Sequence, residues 1–536
     1  MATGKLTSKR RTARAERAGS LHIGLADAGM TPLLRSGLGG LAASIRAHAM
    51  RTKQVWPGTV DFGPGHALVE PGRVTFEWGA GLPAEALGAL FQASFRIAPP
   101  GIIDLPGTYE PDAQVAAEIA AALQDGLKRT FLQHGKTTTK AGGPVVRTIE
   151  IDDVSASFGF QPYATFVHQQ AFSDVAFAVE KGAVKLASWA YPGAVKRHNA
   201  VSASEFQYRA GPALCACFSL VGCLSFQVPR ASGGALVIPE PTDLVQFAST
   251  RPRLTPRTLA DAYVSGPSDA VLAVHLALRM DEVVRGHGGI GNVHGIQLKA
   301  LPWATQQKSR YGVLTTRAFS DVELDRYYSV RRTLPNRMRV RRSDGSVFGT
   351  TSALRAFITD NLARRRPWHA DFATATDGAP DPRFIHYYRD RDNLGALFNE
   401  ERQGLVMMLD HLEEAEHALV RAVHVALRRR FGAIANESRE VPGTMKNRFS
   451  GERDRWRHAF AGSKTPDQIR AALADLWSRA GTNEELQQSW TRIMPLLRPA
   501  SWKTARDLAL VALASYRGSA EEDVAASAGP TEGDEE

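Results

Sequence analysis

The sequence predicts an α+β fold, with a mixed α/β N-terminal and central body followed by an all-α C-terminal helical bundle. Strand-like and helix-like hydrophobic patterns alternate up to residue 395, whereas only helical patterns follow from residue 396. The length of 536 residues also exceeds what one hydrophobic core normally supports. We therefore expect four segments: a basic disordered N-terminus (1–20), the body (21–395, with a possible sub-boundary near 210), the bundle (396–518) and an acidic disordered tail (519–536).

The composition indicates a globular protein that folds in water. Hydrophobic residues make up 43% of the chain and charged residues 22%, and no apolar run reaches the roughly 18 residues that a membrane helix needs. The basic N-terminal stretch has no apolar segment behind it, which argues against a secretory signal peptide. We expect a cytoplasmic protein with no membrane partner.

The body begins with a predicted strand and a predicted helix. The stretch LHIGL (21–25) reads as a strand. The helix that follows has Thr31 as its N-cap and Pro32 at its first position. Its apolar face is formed by Leu34, Leu38, Leu41 and Ile45.

A polar, basic loop precedes the next clear strand. The stretch VVRTIEI alternates in polarity and predicts a strand over Val145–Ile151. The preceding HGKTTTKAGG predicts a loop that presents Lys136, Thr137 and Lys140 to phosphate groups. Simple mobility explains this composition equally well.

The central region predicts two strands, a helix and three buried thiols. VGCLSFQV and ALVIPE indicate strands, and DAVLAVHLALRMDEVVR indicates a helix. Cys215, Cys217 and Cys223 lie close together among apolar neighbours, and no fourth cysteine completes a tetrahedral metal site. We therefore expect buried thiols rather than metal ligands.

The stretch GHGGIG (286–291) has the G-x-G-x-x-G spacing of dinucleotide-binding folds. That fingerprint must follow a strand and open a helix. Here it follows the predicted helix and precedes the strand-like IQLKAL and YGVLTTRA. We interpret it as a helix C-cap and a mobile glycine-rich loop, with Arg285 and Asn292 available to a ligand, and we expect no nucleotide cofactor.

The net charge indicates an anionic partner. The chain carries a formal +10, yet residues 521–536 contain seven acidic groups and no basic one. The other residues therefore carry +17, which is +10 less the −7 of this tail. Nucleic acid is the commonest partner for such an excess, although a basic surface also keeps a protein soluble.

The densest basic cluster is RRTLPNRMRVRR (331–342), which contains six arginines and no acidic residue. Such a cluster repels itself unless phosphates neutralise it, so phosphate contact is a better explanation than a merely solvated face. Its members are Arg331, Arg332, Arg337, Arg339, Arg341 and Arg342, with Asn336 among them.

The C-terminal zone predicts four or five helices. One helix carries a basic triplet in its last turn before Gly432, a second begins at Thr465 and ends at Gly481, and a third begins at Ser501. A bundle face that contacts phosphate and a merely soluble, mildly basic bundle both remain open. The basic candidates here are Arg428, Arg429, Arg430, Lys446 and Arg448.

The sequence contains no catalytic motif that we recognise. The nearest groups, His369 with Asp371 and Asp410 with His411, lack obvious further ligands. We expect no catalytic residue, no metal and no cofactor, and we favour a binding role. The alternatives are a stand-alone metal-dependent nuclease and a scaffold that acts without nucleic acid.

Four stretches in colinear order resemble the large subunit of type I-B CRISPR Cascade complexes. They are MTPLLRSGLGGLAAS, YPGAVKRHNAVSASEF with ALCACFSLVGCLSF, and SWKTARDLALVALASY. The resemblance implies a non-catalytic subunit that binds CRISPR RNA and the backbone, handle-binding and small subunits. It also implies recognition of the protospacer-adjacent motif in double-stranded target DNA, R-loop formation, and recruitment of a separate helicase-nuclease or transposition partner in antiviral defence.

The resemblance further implies a small helical product translated from an internal start at Met407 or Met408. It does not align the motif-reading residues one by one, so those candidates rest on physical grounds. Groove reading needs polar donors on an adaptable backbone. Besides the clustered arginines, the nucleic-acid candidates in the body are Lys136, Lys140, Arg197, Asn199, Arg285, Asn292 and Asn336.

Overall fold

The computed structural model of the chain describes residues 19–186, 190–192, 207–229, 233–281, 288–299, 309–316, 318–376, 395–437, 445–481 and 484–516. These residues form two compact units. The first comprises residues up to 324 together with 336–351, and the second comprises 325–335 together with the residues from 352 onward. The predicted α+β fold class is confirmed, because short sheets and helices build the first unit and helices build the second.

The strands of the first unit are short and pair mainly in antiparallel fashion. They are β1 (Ser20–Gly24), β2 (Thr59–Asp61), β3 (His66–Glu70), β4 (Arg73–Glu77), β5 (Arg96–Ala98), β6 (Ile102–Asp104), β7 (Thr138–Lys140), β8 (Val145–Ile151), β9 (Val154–Phe160), β10 (Tyr163–Phe166), β11 (Val184–Lys185), β12 (Gln207–Tyr208), β13 (Leu224–Val228), β14 (Gly233–Pro241), β15 (Ile290–Lys299), β16 (Ser309–Thr316), β17 (Arg337–Val340) and β18 (Val347–Thr350). Its helices are α1 (Pro32–Arg51), α2 (Pro83–Ser94), α3 (Ala117–Thr130), α4 (Phe172–Lys181), α5 (Ala210–Gly222), α6 (Leu244–Thr250) and α7 (Pro267–Met280).

The first sheet has the order β1-β4-β3-β2, and α1 follows its first strand. The Thr31 hydroxyl accepts a hydrogen bond from the Leu34 amide at 3.4 Å, and Pro32 is the first helical residue. The predicted apolar face of α1 is buried in the core. The predicted strand and helix are therefore both confirmed.

Helices α1 and α5 pack with their backbones in direct contact. A Cβ on Gly40 would lie 2.3 Å from the carbonyl oxygen of Phe218, and one on Gly222 would lie 1.8 Å from the carbonyl oxygen of Ser36. Only glycine permits such an approach, because any side chain would overlap the neighbouring backbone. This pair of helices forms the centre of the largest hydrophobic core.

The three cysteines lie on or next to α5 and are buried free thiols, as predicted. Burial raises the pKa of Cys215, of Cys217 and of Cys223, the last to about 12. The strand predicted for VGCLSFQV was too long, because Gly222 is still helical and β13 begins at Leu224.

The second sheet has the order β13-β14-β15-β16 and packs against α7. Gly288 and Gly289 have positive φ angles, and β15 begins at Ile290. A strand therefore follows these glycines where a dinucleotide-binding fingerprint needs a helix. The predicted mobile loop was wrong beyond Gly289, because β15 begins at Ile290, which pairs with Pro241; Asn292 lies within β15 at the irregularity between this pair and the Val293–Pro239 pair.

Two small hairpins, β8–β9 and β17–β18, share a minor core. Phe158 and Phe160 of β9 are buried in it, and Met338 and Val347 of the second hairpin pack against it. The predicted strand over Val145–Ile151 is confirmed as β8.

The second unit is helical apart from its turns in the part that the structure describes. Its helices are α8 (Asp321–Thr333, from residue 325 onward in this unit), α9 (Ala353–Ala363), α10 (Phe372–Thr376), α11 (Gly395–Met408), α12 (Glu414–Glu437), α13 (Met445–Ala461), α14 (Pro466–Ala480), α15 (Glu484–Ile493) and α16 (Trp502–Ser515).

The predicted boundaries of α14 are confirmed. The Thr465 hydroxyl accepts the Gln468 amide at 3.3 Å, and Gly481 ends the helix with a φ of 76°. The helical spacing from Met407 to Gly432 is divided between two helices, because α11 ends at Met408 and α12 begins at Glu414.

Candidate nucleic-acid interface

The central part of the arginine cluster forms a β-hairpin. We call residues 337–350 the arginine hairpin; it consists of β17, a turn and β18. Arg337 pairs with Thr350 and Arg339 with Phe348, and the Arg341 amide donates to the Ser346 carbonyl at 2.8 Å. Because side chains alternate along a strand, the three odd-numbered arginines share one face.

The arginine hairpin is anchored to the rest of the first unit at its base and at its turn. The Asn336 side-chain amide donates to the Tyr263 carbonyl at 2.6 Å. Gly349 lies against the Tyr263 ring, where a Cβ would come within 2.5 Å of it. The Ser157 amide donates to the Gly345 carbonyl at 2.8 Å. Asn336 thus has a positioning role, and base reading by it stays a prediction.

The hairpin combines cationic groups with an exposed aromatic ring. The Arg341 guanidinium lies 5.6 Å from the centre of the Phe348 ring and 3.7 Å from the Asp344 carboxylate. Phe348 is 36% exposed, and Arg342 is exposed in the turn. Sequence reasoning missed Phe348, since only the strand register shows that it shares the face of the arginines.

Two of the six clustered arginines belong to the second unit. Arg331 and Arg332 lie in the last turn of α8, and the Arg332 guanidinium lies 5.8 Å from the centre of the Tyr328 ring. The contiguous sequence cluster is therefore divided between two compact units.

The loop predicted around Lys136 is more ordered than expected. Residues Gly135–Thr137 form a 3₁₀ turn, and Lys140 ends β7, which pairs with β10. Lys136 and Lys140 are both exposed. The neighbouring Lys128 ammonium donates to the Thr138 hydroxyl at 3.1 Å; burial, and to a smaller extent the charge of Lys140, lowers the pKa of Lys128 to about 8. These lysines form a second basic surface on the first unit.

Asn292 belongs to a polar cluster that is centred on Glu240. The Asn292 amide donates to one oxygen of this buried carboxylate at 3.4 Å, and His294 Nε2 lies 2.5 Å from the same oxygen. Arg35 donates to the other oxygen at 2.9 Å. Burial raises the pKa of Glu240, but the hydrogen bonds from His294, Arg35 and Asn292 outweigh it and lower the pKa overall.

The basic triplet of α12 is not in the last turn of its helix, because the helix continues past Gly432 to Glu437. The prediction of a cationic C-terminus was therefore wrong. Arg428 and Arg429 are exposed, whereas the Arg430 guanidinium donates to Glu452 at 3.0 Å.

Other candidates are paired or lie outside the described residues. Arg448 pairs with Glu437. Lys446 lies in α13, but its side chain is outside the described part of the structure, as are the residues Arg197, Asn199 and Arg285.

The region of His369 is a buried packing site in the second unit. His369 Nε2 lies 3.2 Å from Glu416, and Trp368 beside it is 1% exposed. The Asp507 carboxylate accepts the backbone amides of Asp371 and Ala373 at 2.8 and 3.0 Å. Among the described residues, no group of three or more His, Cys, Asp or Glu side chains is arranged to hold a metal ion.

Within the described ranges, every helix is too short or too polar to cross a membrane.

Comparison with known proteins identifies the chain's relatives. Residues 22–217 match the model of the DevT N-terminal domain, and residues 409–536 match that of the DevT C-terminal domain. Over 510 residues the chain is 52% identical to the CRISPR-associated protein Cas8a1/Csx13 of Myxococcus xanthus (strain DK1622), and the match covers 93% of this chain and 89% of that relative.

These matches place this basic α+β protein among the CRISPR-associated proteins of the Cas8 type. The chain belongs to the Cas8a1/Csx13 family. The resemblance to a CRISPR large subunit is confirmed at this level, and the type I-B assignment stays a prediction.

Proposed function

We propose that this chain is the non-catalytic large subunit of a type I CRISPR effector complex, and specifically of type I-B, as the resemblance of its sequence implies. The observation that carries the proposal is the 52% identity to a Cas8a1/Csx13 protein over 93% of the chain. In this role the chain works in the cytoplasm, binds CRISPR RNA and the backbone, handle-binding and small subunits, and serves antiviral defence.

The two basic surfaces of the first unit support contact with target DNA. Exposed Lys136 and Lys140 lie on one surface, and the arginine hairpin forms the other. Cations on ordered backbone lose little conformational entropy when they contact phosphates. Such phosphate contacts fix the register of a duplex while other residues read its bases. We assign recognition of the protospacer-adjacent motif and support of the R-loop to the mixed body.

The α-helical C-terminal part supplies a further surface. Arg428 and Arg429 are exposed on α12 and suit contact with a displaced or paired strand. A separate helicase-nuclease or a transposition partner would be recruited to the assembled complex, because this chain is assigned no cutting step.

The proposal is tested by identifying the molecules that copurify with the affinity-tagged chain when it is expressed with its neighbouring genes and a CRISPR array. We expect guide-length RNA and several repeated subunits to copurify. A plasmid library with randomised flanking sequence should then show depletion of one short motif. Recovery of proteins alone after nuclease treatment would indicate a scaffold, and cleavage by the isolated chain with magnesium or manganese would indicate a nuclease.

The internal start at Met407 or Met408 belongs to the same proposal. The DevT C-terminal domain match begins at residue 409, directly after these methionines. Changing both codons to leucine should remove a small C-terminal species from immunoblots of the expressed gene. Persistence of that species would refute the internal start, and the simpler explanation would then hold, that Met408, fully buried, fills a core.

A further inference from the structure

The arginine hairpin and the β8–β9 hairpin form one continuous outward face. Along β9 the inward residues are buried in the minor core, and Ser157 on the other side forms a parallel bridge with Ser346. Bridged residues point to the same side of a sheet, so the outward rows of the two hairpins are adjacent. We call this surface the ribbon face; its members are Arg337, Arg339, Arg341, Ser346, Phe348, Thr350, Ser155, Ser157 and Gly159, and beyond them the β8 residues Val146, Thr148 and Glu150, which lie opposite Gly159, Ser157 and Ser155.

The ribbon face has an unusual chemistry for a protein surface. One row carries three guanidinium groups, and the next carries the Phe348 ring, 36% exposed and 5.6 Å from the Arg341 guanidinium. The third row, Ser155 to Gly159, is small and leaves space above the sheet. A ligand that matches it has regularly spaced negative charges and flat rings, which describes nucleic acid.

The ring and the arginine spacing favour a single strand over a duplex. In a duplex the faces of the bases are stacked on one another and are closed to a protein ring. Alternate residues along a β-strand are about 6.8 Å apart, whereas each strand of B-DNA advances about 3.4 Å per phosphate along the helix axis. A nucleotide and a dipeptide contain the same number of backbone bonds. The spacing of phosphates in an extended single strand therefore matches the spacing of the alternate arginines.

We propose that the ribbon face binds an extended single strand of nucleic acid. Arg337, Arg339 and Arg341 contact successive phosphates, and a base stacks on Phe348. The anchoring contacts of Asn336 and Gly349 hold the platform in place before the strand arrives. This inference deepens the proposed function, on which it rests, by naming the conformation of the bound strand.

The experiment measures binding of fluorescent single-stranded DNA, single-stranded RNA and the matched DNA duplex to the full chain. In Phe348→Ala, affinity for single strands should fall roughly 5- to 150-fold, the loss expected for one stacked base. The salt dependence should not change, because no charge is removed. Phe348→Trp should retain the affinity of the wild-type chain, and both variants should bind the duplex as the wild type does.

A photo-crosslink locates the contact independently. Oligonucleotides that contain 5-bromouracil should crosslink to the peptide around Phe348, and comparison of the DNA and RNA arms shows which strand is preferred. Thermal melts of each variant separate lost folding from lost binding; if Phe348→Ala does not fold, Phe348→Leu replaces it.

Two results would overturn the inference. Unchanged single-strand affinity in a folded Phe348→Ala or Phe348→Leu chain would refute the stacking contact. A crosslink that maps to another peptide would refute the site. In either case, copurification of guide RNA with the assembled complex would leave the proposed function standing. Failure of the wild-type chain and its complex to hold any nucleic acid would refute both proposals.

Discussion

At the scale of the residue, Glu240 joins elements that are distant in the sequence. Its carboxylate lies on β14 and receives Arg35 from α1 at 2.9 Å and Asn292 from β15 at 3.4 Å. His294, also on β15, lies 2.5 Å from it. Without such partners, burial of the carboxylate would destabilise the folded state. If the carboxylate were removed, the hydrogen-bonding group of each partner would be left unsatisfied.

We expect Glu240→Gln to destabilise the chain at neutral pH by about 2 kcal/mol, because hydrogen bonds to a charged group are removed. The pKa of Glu240 is lowered below its ordinary value of 4.5, so its contribution is complete above that pH and is lost as the pH falls through the folded-state pKa. Urea unfolding at several pH values should show the difference from wild type shrinking on acidification. The exposed Glu180→Gln is the control, and a pH-independent difference would contradict this account.

The three thiols should be inert in the folded chain. Burial raises the pKa of Cys215, Cys217 and Cys223, and the thiolate is the reactive form. Iodoacetamide followed by mass spectrometry should label none of them in buffer and all of them in urea. Rapid labelling of the native chain would show that α5 is more accessible than its packing implies.

At the scale of the element, the pairing of α1 with α5 depends on glycine. We expect Gly40→Ala to destabilise the first unit by about 1–3 kcal/mol, because its Cβ would meet the Phe218 carbonyl oxygen at 2.3 Å. Gly88→Ala in α2 is the matched control. Its Cβ would lie 3.7 Å from the Phe172 ring, an ordinary contact, so stability should rise by about 0.5–1 kcal/mol. Denaturant unfolding measures both, and equal effects would contradict the predicted overlap.

The arginine hairpin should account for part of the salt dependence of nucleic-acid binding. Replacing Arg337, Arg339 and Arg341 with alanine should weaken binding and reduce the slope of log affinity against log salt by about 0.7–0.9 for each phosphate that is no longer neutralised. Titrations at several salt concentrations measure the slope. Removing three exposed cations elsewhere, Arg73, Lys181 and Lys185, provides a charge-matched control, and an unchanged slope in the hairpin variant would refute the assignment.

At the scale of the whole molecule, the charge is unevenly distributed along the chain. Residues 521–536 carry seven acidic groups, so deleting them raises the formal net charge from +10 to +17. We expect the truncated chain to bind non-specific DNA more tightly at low salt and to lose this gain at high salt. Replacing the seven groups with Asn and Gln keeps the length of the tail and should have the same effect. Affinity that follows tail length rather than charge would contradict the electrostatic explanation.

Local patterns predicted most individual elements, because helix caps and strand alternation depend on neighbouring residues. Thr31, Thr465 and Gly481 were identified as helix boundaries in this way, and the cysteines were correctly predicted to be buried. Predictions failed where tertiary pairing overrides local preference. The chain around Asn292 forms β15 because Ile290 and Val293 on either side of it pair with β14, although its glycine-rich surroundings resemble a loop.

Composition, periodicity and motifs along the chain sufficed to predict the α+β class, the basic charge and the family resemblance. Which charged groups lie close together depends on the tertiary structure. It divides the six clustered arginines between two units and sets Phe348 beside three of them. It also gathers Glu240, Arg35 and His294, which lie far apart in the chain. The physical reason is that strand register and helix packing bring residues together across sequence separations that no local pattern encodes.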